Sequence, residues 1–247
     1  MNLVIDIGNT LQKIAVFNND ECVYCQSSSI ITEMALASLC NQYSIDFSII
    51  SSVAGLSAPV VKFLETNTQM IPYTAQTNLP IRILYQRVET LGLDRIANAV
   101  GAAILFPNSN VLSVQVGSCL VFDFVNARGE YLGGSISPGM IMRFETLHEK
   151  TKNLPLLSLT AKDTKEAQRT QSFLGTDTQS SLSSGVINGM CYEIDGFINE
   201  YKANFENLIV LLTGGDAEYL QKLIKNTIFA ASNLVLQGLN EIIKYNV

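Results

Sequence analysis

Twice in this chain an apolar run ends in a glycine-led polar turn, a second apolar run follows, and another polar turn closes it. Residues 4–20 read VIDIGNTLQKIAVFNND and residues 114–129 read VQVGSCLVFDFVNARG. The likeness lies in the pattern, strand, Gly with a hydroxyl residue, strand, turn, rather than in literal identity. A pattern that returns about a hundred residues later is the mark of a duplicated unit. Around each copy the periodicity switches between strand and helix. Strands are expected over 3–5, 13–17, 22–27 and 47–51, with a helix over 31–43. In the second copy, strands are expected over 111–116, 120–125, 130–132 and 208–212. Helices follow over 139–148, 180–201, 217–224 and 233–244.

The strongest helical signal lies between the copies. Ile96, Ala99, Val100, Ala103 and Ile104 recur at i, i+3, i+4, i+7 and i+8, one apolar stripe. Its small residues allow another backbone to approach closely, a partner subunit being one candidate. Pro107-Asn108-Ser109-Asn110 breaks the stripe and suggests a boundary, giving lobes 1–110 and 111–247. Alternating strands and helices in both imply an α/β protein with mixed sheets covered by helices.

Composition narrows the function classes. The chain is 47% hydrophobic and 15% charged, a balance that suits a large core and not disorder. A net charge of -6, with 16 basic residues and no basic stripe, argues against nucleic acid as a partner. The first residues, MNLVIDIGNT, lack a basic leader, and Asp6 interrupts their apolar run. No stretch nears the roughly 18 apolar residues of a membrane span. A cytoplasmic protein with no membrane partner is the expectation. Of five cysteines, Cys22 and Cys25 form C-x-x-C. A zinc site would need two further ligands, and His148 is the sole histidine; the reading favours reduced structural thiols.

Candidate chemistry sits at strand ends. Asp6-Ile7-Gly8-Asn9-Thr10 places a carboxylate beside backbone N–H groups and short polar side chains. That set suits hydrated Mg²⁺ and nucleotide phosphates, although a plain β-turn would use the same residues. Gln115-Val116-Gly117-Ser118 is its counterpart in the second copy. Thr213-Gly214-Gly215-Asp216 follows an apolar strand, where bare glycines let a flat ligand lie on the backbone. Gly92-Leu93-Asp94-Arg95 precedes the striped helix. Asp94 there is either an N-cap or a base that accepts an alcohol's proton, with Arg95 meeting an anionic group. Gly133-Gly134-Ser135-Ile136-Ser137-Pro138-Gly139 reads as a strand-to-helix loop. His148 reads as packing at a helix end, and Asp123 as a strand residue in polar surroundings without a role.

Order and wording of these motifs resemble the actin-like ATPase and sugar-kinase superfamily, and within it the type III pantothenate kinases. The resemblance is carried by MNLVIDIGNT, Ser51-Ser52-Val53, TLGLDRIANAVGA, GEYLGGSISPGM, Leu174-Gly175-Thr176-Asp177-Thr178 and LLTGGDA, over essentially the whole chain. It implies two duplicated ribonuclease-H-like lobes. It implies ATP-dependent phosphorylation of pantothenate, the first step towards coenzyme A. It further implies that the hairpin from Asp6 to Lys13, including Gly8, Asn9 and Thr10, meets ATP and Mg²⁺, with Gly117, Ser118, Gly214 and Gly215 completing the nucleotide site. Asp94 would be the proton acceptor. Tyr85, Gly92, Leu93, Arg95 and Thr178 would hold pantothenate, and the protein would be a homodimer. Where the family pattern carries an Asp for a potassium or ammonium ion, this sequence has Gln115, with Ser118 and Val121 also departing from it. A regulatory, non-catalytic member of the family is the alternative, and a kinase of this fold for another small alcohol is a third reading.

Overall fold

The computed structural model describes residues 1–53, 55, 57–157 and 172–247. Two compact units form: Met1–Val111 with Asp123–Gly133 and Asn233–Val247, and Leu112–Phe122 with Gly134–Ser232. The first unit thus takes in the C-terminal helix as well as the N-terminal hundred residues.

Its sheet contains β1 (Asn2–Ile7), β2 (Gln12–Asn18), β3 (Glu21–Ser28), β4 (Phe47–Ser52) and β5 (Gln69–Ile71), in the order β3-β2-β1-β4-β5. β1, β2 and β3 form an antiparallel meander, while β4 runs parallel to β1 and β5 parallel to β4. Side chains alternate between two cores, as strand geometry requires. Leu3, Ile5, Ile7, Ile14 and Val16 pack with α1 (Glu33–Gln42) and α2 (Ala58–Asn67) through Leu36, Leu39, Val60 and Leu64. Val4, Ala15, Phe17 and Ile49 face the other way, onto the C-terminal helix (Leu234–Tyr245) and α3 (Leu93–Leu105), which share that core.

The second sheet adds β6 (Arg82–Ile83), β7 (Val111–Val116), β8 (Cys119–Val125), β9 (Glu130–Pro138), β10 (Ile209–Thr213) and β11 (Phe229–Ala230). Its order is β11-β10-β7-β8-β9-β6, with β11 parallel to β10. Setting β7 against β1 reproduces the order of the first sheet strand for strand, with β6 added at one edge. The repeat read from two short motifs is therefore a repeat of whole sheets. Its helices are α4 (Met140–Lys150), α5 (Thr178–Ser183), a π turn at Ser184–Asn188, α6 (Gly189–Asn204) and α7 (Ala217–Leu220); α8 (Leu234–Tyr245) returns to the first unit.

Several local expectations need correction. β9 runs to Pro138, so the stretch read as a strand-to-helix loop is strand for most of its length. The helix expected over 217–224 stops at Leu220, and the one expected over 180–201 passes through the π turn. In α1, Leu36 and Leu39 are buried, whereas Met34 is 81% exposed. The most consequential difference concerns α3. The backbone that comes close to its small residues is α8 of the same unit. A Cβ on Gly238 would stand 1.8 Å from the Ala97 carbonyl oxygen, and one on Gly101 would stand 2.4 Å from that of Leu234. Two glycines facing each other's backbone bring the helices closer than the usual 8–10 Å between axes permits with larger side chains.

Candidate active site

The first unit gathers most of the predicted site at one end of its sheet. β1 hands over to β2 through Gly8-Asn9-Thr10-Leu11, a turn closed by the Gly8 N–H donating to the Leu11 carbonyl at 3.1 Å. A Cβ on Gly8 would reach that same oxygen at 3.0 Å. Asn9 and Thr10 are exposed at the tip. Asp6 pairs in register with Lys13 on one side and Ser51 on the other. Neighbours across a ladder share a face, so Lys13, Asp6 and Ser51 form a polar row continuing the apolar row Ala15, Val4 and Ile49. That face is the one onto which α3 packs, and Asp94 lies in the first turn of α3.

Electrostatics link the two acids. Burial, then the carboxylate of Asp94, push Asp6 up to about 6, with Lys13 pulling the other way. Tyr73 reports the same neighbourhood. Its hydroxyl donates to the Leu93 carbonyl at 2.7 Å, and burial followed by Asp94 and Asp6 raises its pKa. Two carboxylates crowding one another invite a cation. Mg²⁺ is commonly held by one or two carboxylates, with water and phosphate oxygens completing its shell, so this donor set fits it. Among the described residues no group of three or more His, Cys, Asp or Glu is placed to hold a metal ion.

The capping role considered for Asp94 is not observed. Gly92 is the N-cap of α3 and no side chain caps it. Asp94 instead folds against Gly92, where a Cβ would stand 2.5 Å from Asp94 Oδ1. Glycine leaves that carboxylate its place.

Arg95 is turned inward. It is buried, and its Nε and Nη2 donate to Asp123 Oδ1 at 2.9 and 2.7 Å. The Tyr131 hydroxyl donates to the same oxygen at 2.7 Å, and Asn98 Nδ2 reaches Asp123 Oδ2 at 3.4 Å. Asp123, read as a strand residue in polar surroundings without a role, is thus the acceptor at the centre of a buried network. Burial pushes its pKa above the ordinary carboxylate range, and the Arg95 guanidinium with the Tyr131 and Asn98 donors pulls the other way. Tyr85 lies 6.0 Å from the Arg95 guanidinium carbon and 6.2 Å from the ring of Tyr131. Tyr85, Gly92, Leu93, Asp94 and Arg95 therefore share one neighbourhood, with the Arg95 guanidinium engaged by protein.

Ser51 carried no predicted role. Its side chain is fully buried beside Asp6, and its hydroxyl has no hydrogen-bond partner among the described residues. An unsatisfied buried hydroxyl costs about 1–3 kcal/mol. The sequence signal was available in the pair Ser51-Ser52 at the end of an apolar strand, a polar ending where apolar continuation was expected.

In the second unit glycines do the positioning. Gly117 N–H closes its turn on the Cys119 carbonyl at 3.0 Å. The Gly139 N–H donates to the Ser118 carbonyl at 3.1 Å, and a Cβ there would stand 2.0 Å from the Gly117 oxygen. Gly214, at φ +102°, passes so near β7 that a Cβ would stand 2.1 Å from the Val116 oxygen, which also accepts from the Asp216 N–H. Three loops thus meet at the end of β7, with Gly215 and Ser118 exposed and Gln115 half-buried on the strand. Thr178 opens α5 just after its cap, Asp177, whose carboxylate accepts from the Ser180 N–H at 2.8 Å. It lines a cavity of about 650 Å³ with Leu147, Leu154 and Gly175. His148 ends α4 with Nδ1 2.7 Å from the Leu154 carbonyl.

Comparisons with known proteins agree with this architecture. The sequence profile of the type III pantothenate kinase family matches residues 2–200. A type III pantothenate kinase of Cytophaga hutchinsonii is 40% identical over 248 residues, covering 100% of both chains. One from Flavobacterium johnsoniae is 38% identical over 249 residues, covering 100% of this chain and 99% of that one. Among solved structures, the activator of the 2-hydroxyisocaproyl-CoA dehydratase from Clostridium difficile, with bound ADPNP, has a TM-score of 0.56 at 13% identity, covering 99% of this chain and 93% of that one. A ROK family protein from Streptococcus pneumoniae has a TM-score of 0.53 at 14% identity, covering 99% of each. These structures speak for the actin-like ATPase and sugar-kinase fold alone. With the full-length relatives, the family profile and two sheets of one strand order all in agreement, the chain belongs to the type III pantothenate kinase family.

Proposed function

We propose that this chain transfers the γ-phosphoryl group of ATP to the primary hydroxyl of pantothenate, with Asp94 accepting the hydroxyl proton. Beyond family membership, the observation that supports this most is the closeness of Asp94 to Asp6 within one unit, read from the push that one acid exerts on the other. Asp6 would hold Mg²⁺ through water, which when bound neutralises charge on the phosphates. The Gly8, Asn9 and Thr10 turn would donate to phosphate oxygens, with Lys13 adding positive charge. Gly117, Ser118, Gly214 and Gly215 would serve the nucleotide with backbone N–H groups and open space. In a loose phosphoryl-transfer transition state Asp94 would orient the alcohol and take its proton late.

Tyr85, Gly92, Leu93 and Thr178 would contact pantothenate. With its guanidinium on Asp123, Arg95 would act first by fixing the start of α3, and meet the pantothenate carboxylate only with the N–H groups that Asp123 leaves over. Gln115 would offer a potassium or ammonium ion one neutral oxygen in place of a carboxylate, so monovalent cations should stimulate weakly. A homodimer working in the cytoplasm completes the proposal; no helix among the described residues is long and apolar enough to cross a membrane.

The test is a coupled assay of ADP release with ATP, Mg²⁺ and a panel of small alcohols, with and without potassium. Pantothenate-dependent turnover and a product of phosphopantothenate mass are expected. Turnover with another alcohol alone would replace the substrate. Absence of turnover with intact nucleotide binding would favour a regulatory member of the family.

A further inference from the structure

The cysteines at 22 and 25 are three apart, and on a regular strand that spacing would point them to opposite faces. β3 is not regular. Its register with β2 pairs Ala15 with Cys25 and Val16 with Tyr24, then jumps to pair Phe17 with Cys22, leaving Val23 as the extra residue of a bulge. Val23 and Tyr24, consecutive in sequence, both pack on the α1/α2 side of the sheet. Cys22 and Cys25 consequently share the opposite face, across from Phe17 and Ala15, which point into the α3 side. The bulge converts an odd spacing into a same-face pair.

The two thiols are neighbours. Burial and then the nearby Cys25 raise the Cys22 thiol above its ordinary value, and its Sγ donates to the Tyr24 carbonyl at 3.3 Å. Asn233 Nδ2 donates to Cys25 Sγ at 3.6 Å. Both cysteines are exposed, on the outer strand of the sheet. Cys40 and Cys119 are half-buried, and Cys191 is buried with its thiol pushed up to about 11 by burial and Asp195. Positions opposite residues two apart on a strand lie roughly 6.6–6.8 Å from each other. Disulfides span Cα separations of about 4.4–6.8 Å, so closure here is within reach at the long end. A bridge near that limit is easily reduced.

We propose that Cys22 and Cys25 are a redox-active dithiol that exchanges with low-molecular-weight disulfides of the glutathione type, closing to an intrastrand disulfide. One thiolate attacks a sulfur of the small disulfide, forming a mixed disulfide and releasing one small thiolate. The second cysteine, as its thiolate, attacks the protein sulfur of that bond and releases the other. Two electrons pass from the cysteine pair to the small disulfide, which leaves as two thiols carrying the two protons. The reaction is independent of phosphoryl transfer.

The experiment incubates the full chain with oxidised and reduced glutathione at fixed ratios, quenches with an alkylating agent, and reads intact mass and peptide map. In the wild type, alkylation at positions 22 and 25 should fall together, roughly tenfold more than at Cys40, Cys119 or Cys191. The unalkylated chain should lose the mass of two hydrogens, and a peptide linking the two positions should appear. Excess reduced glutathione should restore both thiols together, by the same two exchanges in reverse. C22S and C25S, surface changes that leave the strand pairing intact, should each retain a stable glutathione adduct on the remaining cysteine. Glutathione adducts on both wild-type cysteines without a crosslink would overturn the proposal. So would chains linked to one another, or thiols that persist under excess oxidant.

Discussion

The two sheets share a strand order, yet the turns after their first strands work by different physics. After β1 the turn is charged: Asp6 two residues before its glycine, Lys13 and Ser51 flanking it, Asp94 close enough to raise it. After β7 the matching position is Gln115, and the surroundings are made of Gly139 and Gly214, each where the backbones of neighbouring loops nearly touch, with Gly117 closing the turn. The first turn is built on charge held at a buried strand end. The second is built on close backbone packing that glycine allows. Duplication preserved the frame; the chemistry diverged at a handful of positions.

That contrast gives graded ways to test it. The largest effect is expected from Asp94→Asn, which removes the proposed proton acceptor while keeping its shape. Its kcat should fall by about 10²–10⁴, with the melting temperature and nucleotide affinity near those of the wild type. Full turnover in this variant would take the base away from Asp94. Next is Gly214→Ala, a change in the glycine-built half. A side chain at φ +102°, aimed at the Val116 oxygen, should cost at least about 1–3 kcal/mol by denaturant unfolding. Nucleotide affinity should drop with it. An unperturbed variant would show that this loop is looser than its contacts imply.

Gln115→Asp tries to make the second half resemble the first. Potassium stimulation of turnover, small in the wild type, should grow severalfold. An equal response to potassium and tetramethylammonium in both forms would exclude Gln115 from a cation site. The smallest effect concerns Asp6 in metal-free buffer. Its folded pKa of about 6 lies above the ordinary 3.8, so the folded state favours the protonated acid. The associated stability is present below pH 4 and lost as pH rises towards 6. Asp6→Asn is neutral throughout. Its melting temperature relative to wild type should therefore improve on going from pH 4 to pH 7, and a pH-independent difference would contradict the shift.

Strand runs, the α3 stripe and the Gly-led turns were legible because each is a local pattern whose period or punctuation follows from backbone geometry. Residue type and position brought out Asp6, Asp94 and the Gly214 turn as candidates, and the resemblance to type III pantothenate kinases supplied their expected roles. Three things were not legible. The role of Asp123 depends on Arg95, Asn98 and Tyr131, which lie up to 28 positions away in sequence. Ser51 matters because a parallel ladder places it beside Asp6, 45 positions earlier by residue number, and no local rule pairs those strands. The small residues of α3 were read as an opening for a neighbour, but sequence could not say that the neighbour was α8.

By itself the sequence determined most of the strands and helices, that the pattern occurs twice, and which turns carry carboxylates and bare glycines. These are properties of residues in contact along the chain, fixed by backbone sterics and apolar periodicity. Tertiary structure alone decided which polar groups meet: the ladder that flanks Asp6 with Lys13 and Ser51, the buried carboxylate that claims Arg95, and the bulge that turns Cys22 and Cys25 to one face. Such meetings depend on strand register and helix docking. A shift of one residue exchanges the faces of a strand, and nothing local in the sequence encodes it.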